Sequence, residues 1–209
     1  MNAIRKFSAL ALALTASSAF ASAVVPAYDS FGTLAAATFG GSGIPNTAVA
    51  ITTLGGVTLG LTATQRFAMP VVTNNGAGVF HAVNGAYASG DNLAKWNFDF
   101  YVGGTGVSDY SYTLFVDLDS AVGNDISTYN SGSLGSVAIQ DSLNLGFGTT
   151  FAQFDPNVAG EYGFVLAAYR GGVEVGRSAI LVDVPEPASL ALVGVALLGL
   201  AGSVRRSRR

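Results

Sequence analysis

Ala94-Lys95-Trp96-Asn97-Phe98-Asp99-Phe100-Tyr101-Val102 alternates apolar and polar side chains over nine residues. Successive side chains of a β-strand point to opposite faces, so Ala94, Trp96, Phe98, Phe100 and Val102 share one face. Lys95, Asn97, Asp99 and Tyr101 share the other. A helix would scatter these residues around its circumference, so period two predicts a strand. Tyr110 to Asp119 repeats the pattern, with Tyr110, Tyr112, Leu114, Val116 and Leu118 against Ser111, Thr113, Asp117 and Asp119; only Phe115 breaks it. Aromatic faces of this kind are buried well between two stacked sheets.

Working outward, two pairs of apolar runs read as hairpins. Thr47 to Leu54 and Val57 to Thr64 flank Gly55-Gly56, and Tyr162 to Arg170 and Val173 to Val184 flank Gly171-Gly172. Paired glycines supply the positive φ angles that tight hairpin turns require. Alternation slips at Gly176, which predicts a bulge. Asp155-Pro156-Asn157-Val158-Ala159-Gly160-Glu161-Tyr162 has the form of the corner before the penultimate strand of an immunoglobulin-like sandwich, where a tyrosine bonds back to upstream backbone. Asp91 to Val184 then approximates one such module, with the earlier strands as an extension or part of a larger sandwich. Ala121 to Ser133 and Asn74 to Gly78 read as loops. The expected fold is all-β: an antiparallel β-sandwich, immunoglobulin-like or jelly-roll-like, over residues 24–183.

Composition agrees. There are 27 Gly, abundant Thr, Val, Ser and Asn, and only two Lys, so the exposed faces lack the residues that favour helices. Between Val24 and Val184 the basic residues are Arg66, Lys95, Arg170 and Arg177, against twelve carboxylates. Such an acidic body repels a phosphate backbone, so no nucleic-acid partner is expected. No cysteine is present, which removes disulfides, thiolate metal sites and thiol nucleophiles.

The ends differ from the middle. Arg5 and Lys6 precede the apolar run Phe7 to Leu14, and Ala19-Phe20-Ala21 and Ala21-Ser22-Ala23 both fit the small-x-small cleavage pattern. Residues 1–23 read as a signal peptide, its helix too short to span a bilayer, with cleavage after Ala21 or Ala23. At the other end Val184-Pro185-Glu186-Pro187 stops the last strand, because proline cannot donate to a ladder. Residues 188–204 carry no charge, and Arg205, Arg206, Arg208 and Arg209 follow. Seventeen residues at ~1.5 Å each give roughly 25 Å, near the lower limit of a transmembrane helix. The arginines act as a membrane stop signal and prefer the cytoplasmic side, which leaves the body outside.

Val-Pro-Glu-Pro, a short Leu/Ala/Gly/Val helix and a terminal arginine cluster together resemble the PEP-CTERM sorting signal of Gram-negative bacteria, over residues 184–209. The resemblance implies an exosortase-type membrane protease as partner, recognising the Pro-Glu-Pro region and removing the helix. It also implies export through the inner membrane to the cell envelope, surface or extracellular matrix, in the company of exopolysaccharide and biofilm components. The arginine tail and the lack of Leu-Pro-x-Thr-Gly distinguish the segment from sortase and GPI signals. An ordinary single-span anchor would change processing but not location.

Within the body the sequence offers no catalytic constellation. His81 is the sole histidine, which excludes familiar zinc sites and Cys-His catalysis. A Ser-His-Asp triad lacks its Gly-x-Ser-x-Gly elbow. Gly40-Gly41-Ser42-Gly43 and Gly103-Gly104 lack the Lys-Ser/Thr of a phosphate loop and read as turns. Asp117, Asp119 and Asp125 are a candidate calcium set of hard oxygen ligands, though not at EF-hand spacing; the competing reading is a polar face running into a loop. The threonines at 47, 52, 53, 58, 62 and 64 are irregularly spaced and read as strand residues.

The expected function is a non-enzymatic cell-surface or matrix protein with no cofactor, associated with exopolysaccharide. The alternatives are a carbohydrate- or calcium-binding module, with Tyr101 or Tyr129 as exposed glycan-stacking rings, and a secreted hydrolase with two convergent carboxylates.

Overall fold

A computed structural model of the chain describes residues 23–67, 70–147, 151 and 153–186. In chain order the strands are β1 (Ser30–Gly32), β2 (Val49–Leu54), β3 (Val57–Gln65), β4 (Thr73–Asn74), β5 (Val79–His81) and β6 (Trp96–Gly104). They continue with β7 (Ser111–Val116), β8 (Asn130–Gly135), β9 (Ile139–Leu143), β10 (Gly160–Arg170) and β11 (Val173–Val184). One sheet has the order β1-β2-β3-β6-β9 and the other β4-β5-β11-β10-β7-β8. The β-sandwich expected from the alternating segments is therefore present. Its pairing is antiparallel except where β5 lies parallel to β11, so the second sheet is mixed rather than purely antiparallel. β5 and β11 are far apart in sequence, and no hairpin forces them into opposite directions.

The core forms where the alternating faces meet. Trp96, Phe98 and Phe100 of β6 are buried against Tyr162, Phe164 and Leu166 of β10. The Phe98 and Phe164 rings stack at 4.5 Å, and Trp96 meets Phe164 edge-on at 6.1 Å. Each such side chain contributes roughly 1.5–3 kcal/mol of hydrophobic stabilisation.

Both Gly-Gly hairpins form. Gly55 and Gly56 have φ of 55° and 95°, and Gly171 and Gly172 have 59° and 81°, the left-handed region that glycine enters without steric cost. β10 and β11 change register where Ala168 faces Gly176 and Tyr169 faces Glu174, which leaves Val175 as the extra residue beside the expected glycine. The Tyr162 hydroxyl donates to the Val158 carbonyl at 3.0 Å, the corner bond that the 155–162 segment suggested.

Two expectations need correction. Ala121 to Ser133 is not all loop: it contains a 3-10 turn (Ile126–Thr128) and most of β8, an exposed edge strand whose Asn-Ser-Gly-Ser carries no hydrophobic period. The outward faces are also more covered than alternation implies. Residues 33–48 lie over the first sheet, where Ala37, Phe39 and Val49 form a second small core with Leu34, Ile44 and Tyr101 around it. Over the second sheet, Val24 packs with Tyr129, Val165 and Ala179, and here Phe115, the residue that broke the pattern, finds its partners. The N-terminal part of the body thus covers the outside of both sheets.

Among the described residues no helix is long and apolar enough to cross a membrane. The signal helix, with Ala21, lies outside the described residues. So do Pro187, the span 188–204 and Arg205, Arg206, Arg208 and Arg209.

Candidate functional site

β11 carries the chain to the end of the sandwich. Val184 is its last residue, paired with Gly160 and only 2% exposed. Asp183 before it is partly exposed and lies 3.4 Å from His81, through Oδ2 and Nδ1. At Pro185 the ladder loses its donor and the backbone leaves the sheet, so Pro185 and Glu186 are exposed. Strand β11 therefore ends inside the Val184-Pro185-Glu186-Pro187 motif: its first residue is core, and the next two are accessible.

Residues 183–206 match the PEP-CTERM protein-sorting motif. The chain carries a PEP-CTERM sorting signal. A PEP-CTERM signal implies processing by exosortase, a membrane protein, and export to the cell envelope or surface. No curated protein and no solved structure matches the chain.

On the signal-peptide side, Ala23 forms an isolated antiparallel bridge with Asp125, and the Val24 N–H donates to the Asn124 carbonyl at 3.1 Å. A chain cut after Ala21 keeps that bridge; one cut after Ala23 begins at the buried Val24.

The acidic loop after β7 is organised by protein donors. Asp117 is 3% exposed; its Oδ1 accepts the Asp119 N–H at 3.0 Å and its Oδ2 accepts the Asn124 amide at 3.0 Å. Desolvation raises the Asp117 pKa, opposed by the bonds from Asn124, the Asp119 backbone and the Tyr129 hydroxyl. Asp119 accepts the Ala121 N–H, and Asp125 accepts the Ser127 N–H at the start of the 3-10 turn. Among the described residues no group of three His, Cys, Asp or Glu side chains is arranged to hold a metal ion.

Other candidates serve the fold. Thr52 donates to the Arg177 carbonyl and Thr62 to the Ala48 carbonyl, so these threonines do not form a flat exposed array. Tyr129 is 8% exposed, with its hydroxyl over Gly163, where a Cβ would lie 2.0 Å from the oxygen. Tyr101 packs with Phe39 beneath residues 33–48. Neither ring is the exposed glycan-stacking surface expected of it.

Sequence reasoning missed the outer face of the first sheet. Asp99, expected on a polar face, is fully buried. Thr64 donates to its Oδ2 at 2.8 Å, while Oδ1 has no partner. Desolvation pushes its pKa from 3.8 to about 6, opposed by the nearby Ser142 hydroxyl and the Thr64 hydrogen bond and helped by a smaller push from Asp141. Beside it, Thr64, Asn97 and Ser142 line a cavity of about 300 Å³. No local pattern marks this place, because residues 42–45, 64–67, 97 and 142 come together only in the fold.

Proposed function

We propose that this chain is an exported, non-enzymatic surface or matrix protein, sorted through its PEP-CTERM signal, whose β body associates with exopolysaccharide. The observation that carries the reading is the sorting motif at 183–206, set where β11 leaves the sandwich. An exosortase would find Pro185 and Glu186 accessible, while a cut before Val184 would require the end of β11 to leave its ladder with Gly160. We read the neighbouring order β11-β10-β7-β8, set against β3-β6-β9, as immunoglobulin-like rather than jelly-roll-like. That architecture hosts many functions, so it supports a stable carrier and names no ligand.

Intact-mass measurement on protein from the surface and medium of its native host tests the sorting. A chain beginning at Ser22 or Val24 and ending between Pro185 and Ala188 is expected. Recovery of a chain that keeps residues 188–209 would overturn the processing and make the protein a stably anchored one.

A further inference from the structure

The cavity beside Asp99 opens onto the most exposed aromatic side chains among the described residues. Arg66 and Phe67, immediately after β3, line it together with Ser42, Gln65, Asn97 and Ser142. The Arg66 guanidinium carbon lies 4.9 Å from the Phe67 ring centre, 5.2 Å from Phe147 and 5.5 Å from Tyr87. All three distances fall within cation–π range. The rings are nevertheless open to solvent, with Phe67 71% exposed, Tyr87 42% and Phe147 39%.

This grouping is held by backbone. The Arg66 N–H donates to the Lys95 carbonyl, the Tyr87 N–H to Leu93, and the Phe147 N–H to Asn144. Asn144, fully buried, accepts the Ala94 N–H and donates to the Ala94 and Trp96 carbonyls, tying the Phe147 turn to the start of β6. Phe67 sits at φ 58°, a left-handed conformation that costs a non-glycine residue about 1 kcal/mol or more.

Arg66 also differs from the other arginines of the body. Among the described residues Arg170 pairs with Asp109 and Arg177 with Glu174, whereas no carboxylate pairs with Arg66, and its Nε is buried without a hydrogen-bond partner. In a body with twelve carboxylates and four basic residues, leaving this guanidinium unpaired beside a cavity keeps its remaining donors for another acceptor.

We propose that this cavity and its aromatic rim form a binding site for a sugar ring of a neutral polysaccharide. The C–H face of a pyranose can stack on Phe67 or Phe147, and its hydroxyls can pair with Arg66, Gln65, Asn97 and Ser142. A volume of about 300 Å³ suits one small unit rather than a large ligand. The acidic body disfavours a polyanion, which selects a neutral glycan over an acidic one. The site rests on the reading that the body meets polysaccharide outside the cell and supplies the contact that reading lacks.

The test is affinity electrophoresis of the full chain, in detergent, through gels containing dextran, glucomannan or alginate. The wild type should be retarded by a neutral glycan. Arg66→Ala and Phe67→Ala should each weaken retardation about tenfold or more, Phe67→Trp should retain it, and all should keep the wild-type Tm to within a few degrees. Arg170→Ala, which removes an arginine stacked at 4.9 Å on Tyr110 away from the cavity, should change nothing. Neutral-glycan binding that survives both alanine variants overturns the site while the polysaccharide reading stands. Retardation by alginate alone overturns the neutral class. No retardation by any of the three overturns the site and the polysaccharide association together, and leaves the sorting to the mass measurement.

Discussion

Asp99 and Asp117 are both buried aspartates, and the fold treats them in opposite ways. Asp117, in the loop after β7, receives the Asp119 N–H, the Asn124 amide and the Tyr129 hydroxyl, so its burial organises a segment with no ladder of its own. Asp99, in the middle of β6, receives Thr64 on one oxygen and leaves the other buried without a partner. Burial raises both pKa values, that of Asp99 to about 6. A carboxylate among donors works as a structural centre. One with an oxygen left unpartnered is a cost the surrounding fold must offset.

The largest expected effect comes from breaking the satisfied member. Asp117→Ala strands a buried tyrosine hydroxyl and a backbone N–H and leaves the Asn124 amide only its bond to the Asp119 carbonyl, and should lower unfolding stability by about 3 kcal/mol in denaturant titration. Asp117→Asn keeps an acceptor and should cost less. A loss for the alanine variant within about 0.5 kcal/mol, as at an ordinary surface position, would mean the network does not hold the loop.

The unsatisfied member should give the next effect, with the opposite sign. Its carboxyl titrates near 3.8 when unfolded and about 6 when folded, so between these values the folded state holds a proton that the unfolded chain releases. Stability contributed through Asp99 is therefore full below pH 3.8 and lost as pH rises through about 6. A shift of this size corresponds to about 3 kcal/mol. Asp99→Asn removes the titration, so it should flatten stability across that window and raise it at pH 8 by about 2 kcal/mol, measured as Tm or denaturation midpoint against pH. A variant less stable than wild type at pH 8 would show that the charge has a partner supplied by water or ligand.

The same contrast explains how much was readable in the sequence. Alternation placed Asp99 on the outward face of β6 correctly, since Trp96, Phe98 and Phe100 do face the core. It could not say that residues 33–48 return to cover that face, because a covering segment without regular strands has no period to detect. The Gly-Gly hairpins and the Tyr162 corner were legible for the opposite reason: each is set by local backbone chemistry within a dozen residues. β8 escaped because an edge strand of Asn, Ser and Gly buries too little to need a pattern. The sorting motif was legible as consecutive residues. The cavity at Arg66 was not, since its walls come from four separate segments.

The smallest expected effect is a null one, and it sharpens what Asp117 is for. The set Asp117, Asp119 and Asp125 has the oxygen chemistry of a calcium site, and a weak extracellular site would bind with a Kd of about 1 mM. At about 10 mM calcium such a site would add about 1.4 kcal/mol and raise the Tm of a protein this size by roughly 3–6 °C. The geometry argues against that gain. Both Asp117 oxygens already accept protein hydrogen bonds, Asp119 accepts the Ala121 N–H and Asp125 the Ser127 N–H. A cation would have to share these oxygens with their donors, and any donor displaced from buried Asp117 would lose its partner, at about 1–3 kcal/mol each. Calorimetry with calcium and with chelator should therefore give the same Tm within about 1 °C, a shift well below that expected from a bound ion. A rise of several degrees would mean that the loop rearranges around a cation. Asp117 and Asp99 would then differ in their ligands rather than in how completely protein donors satisfy them.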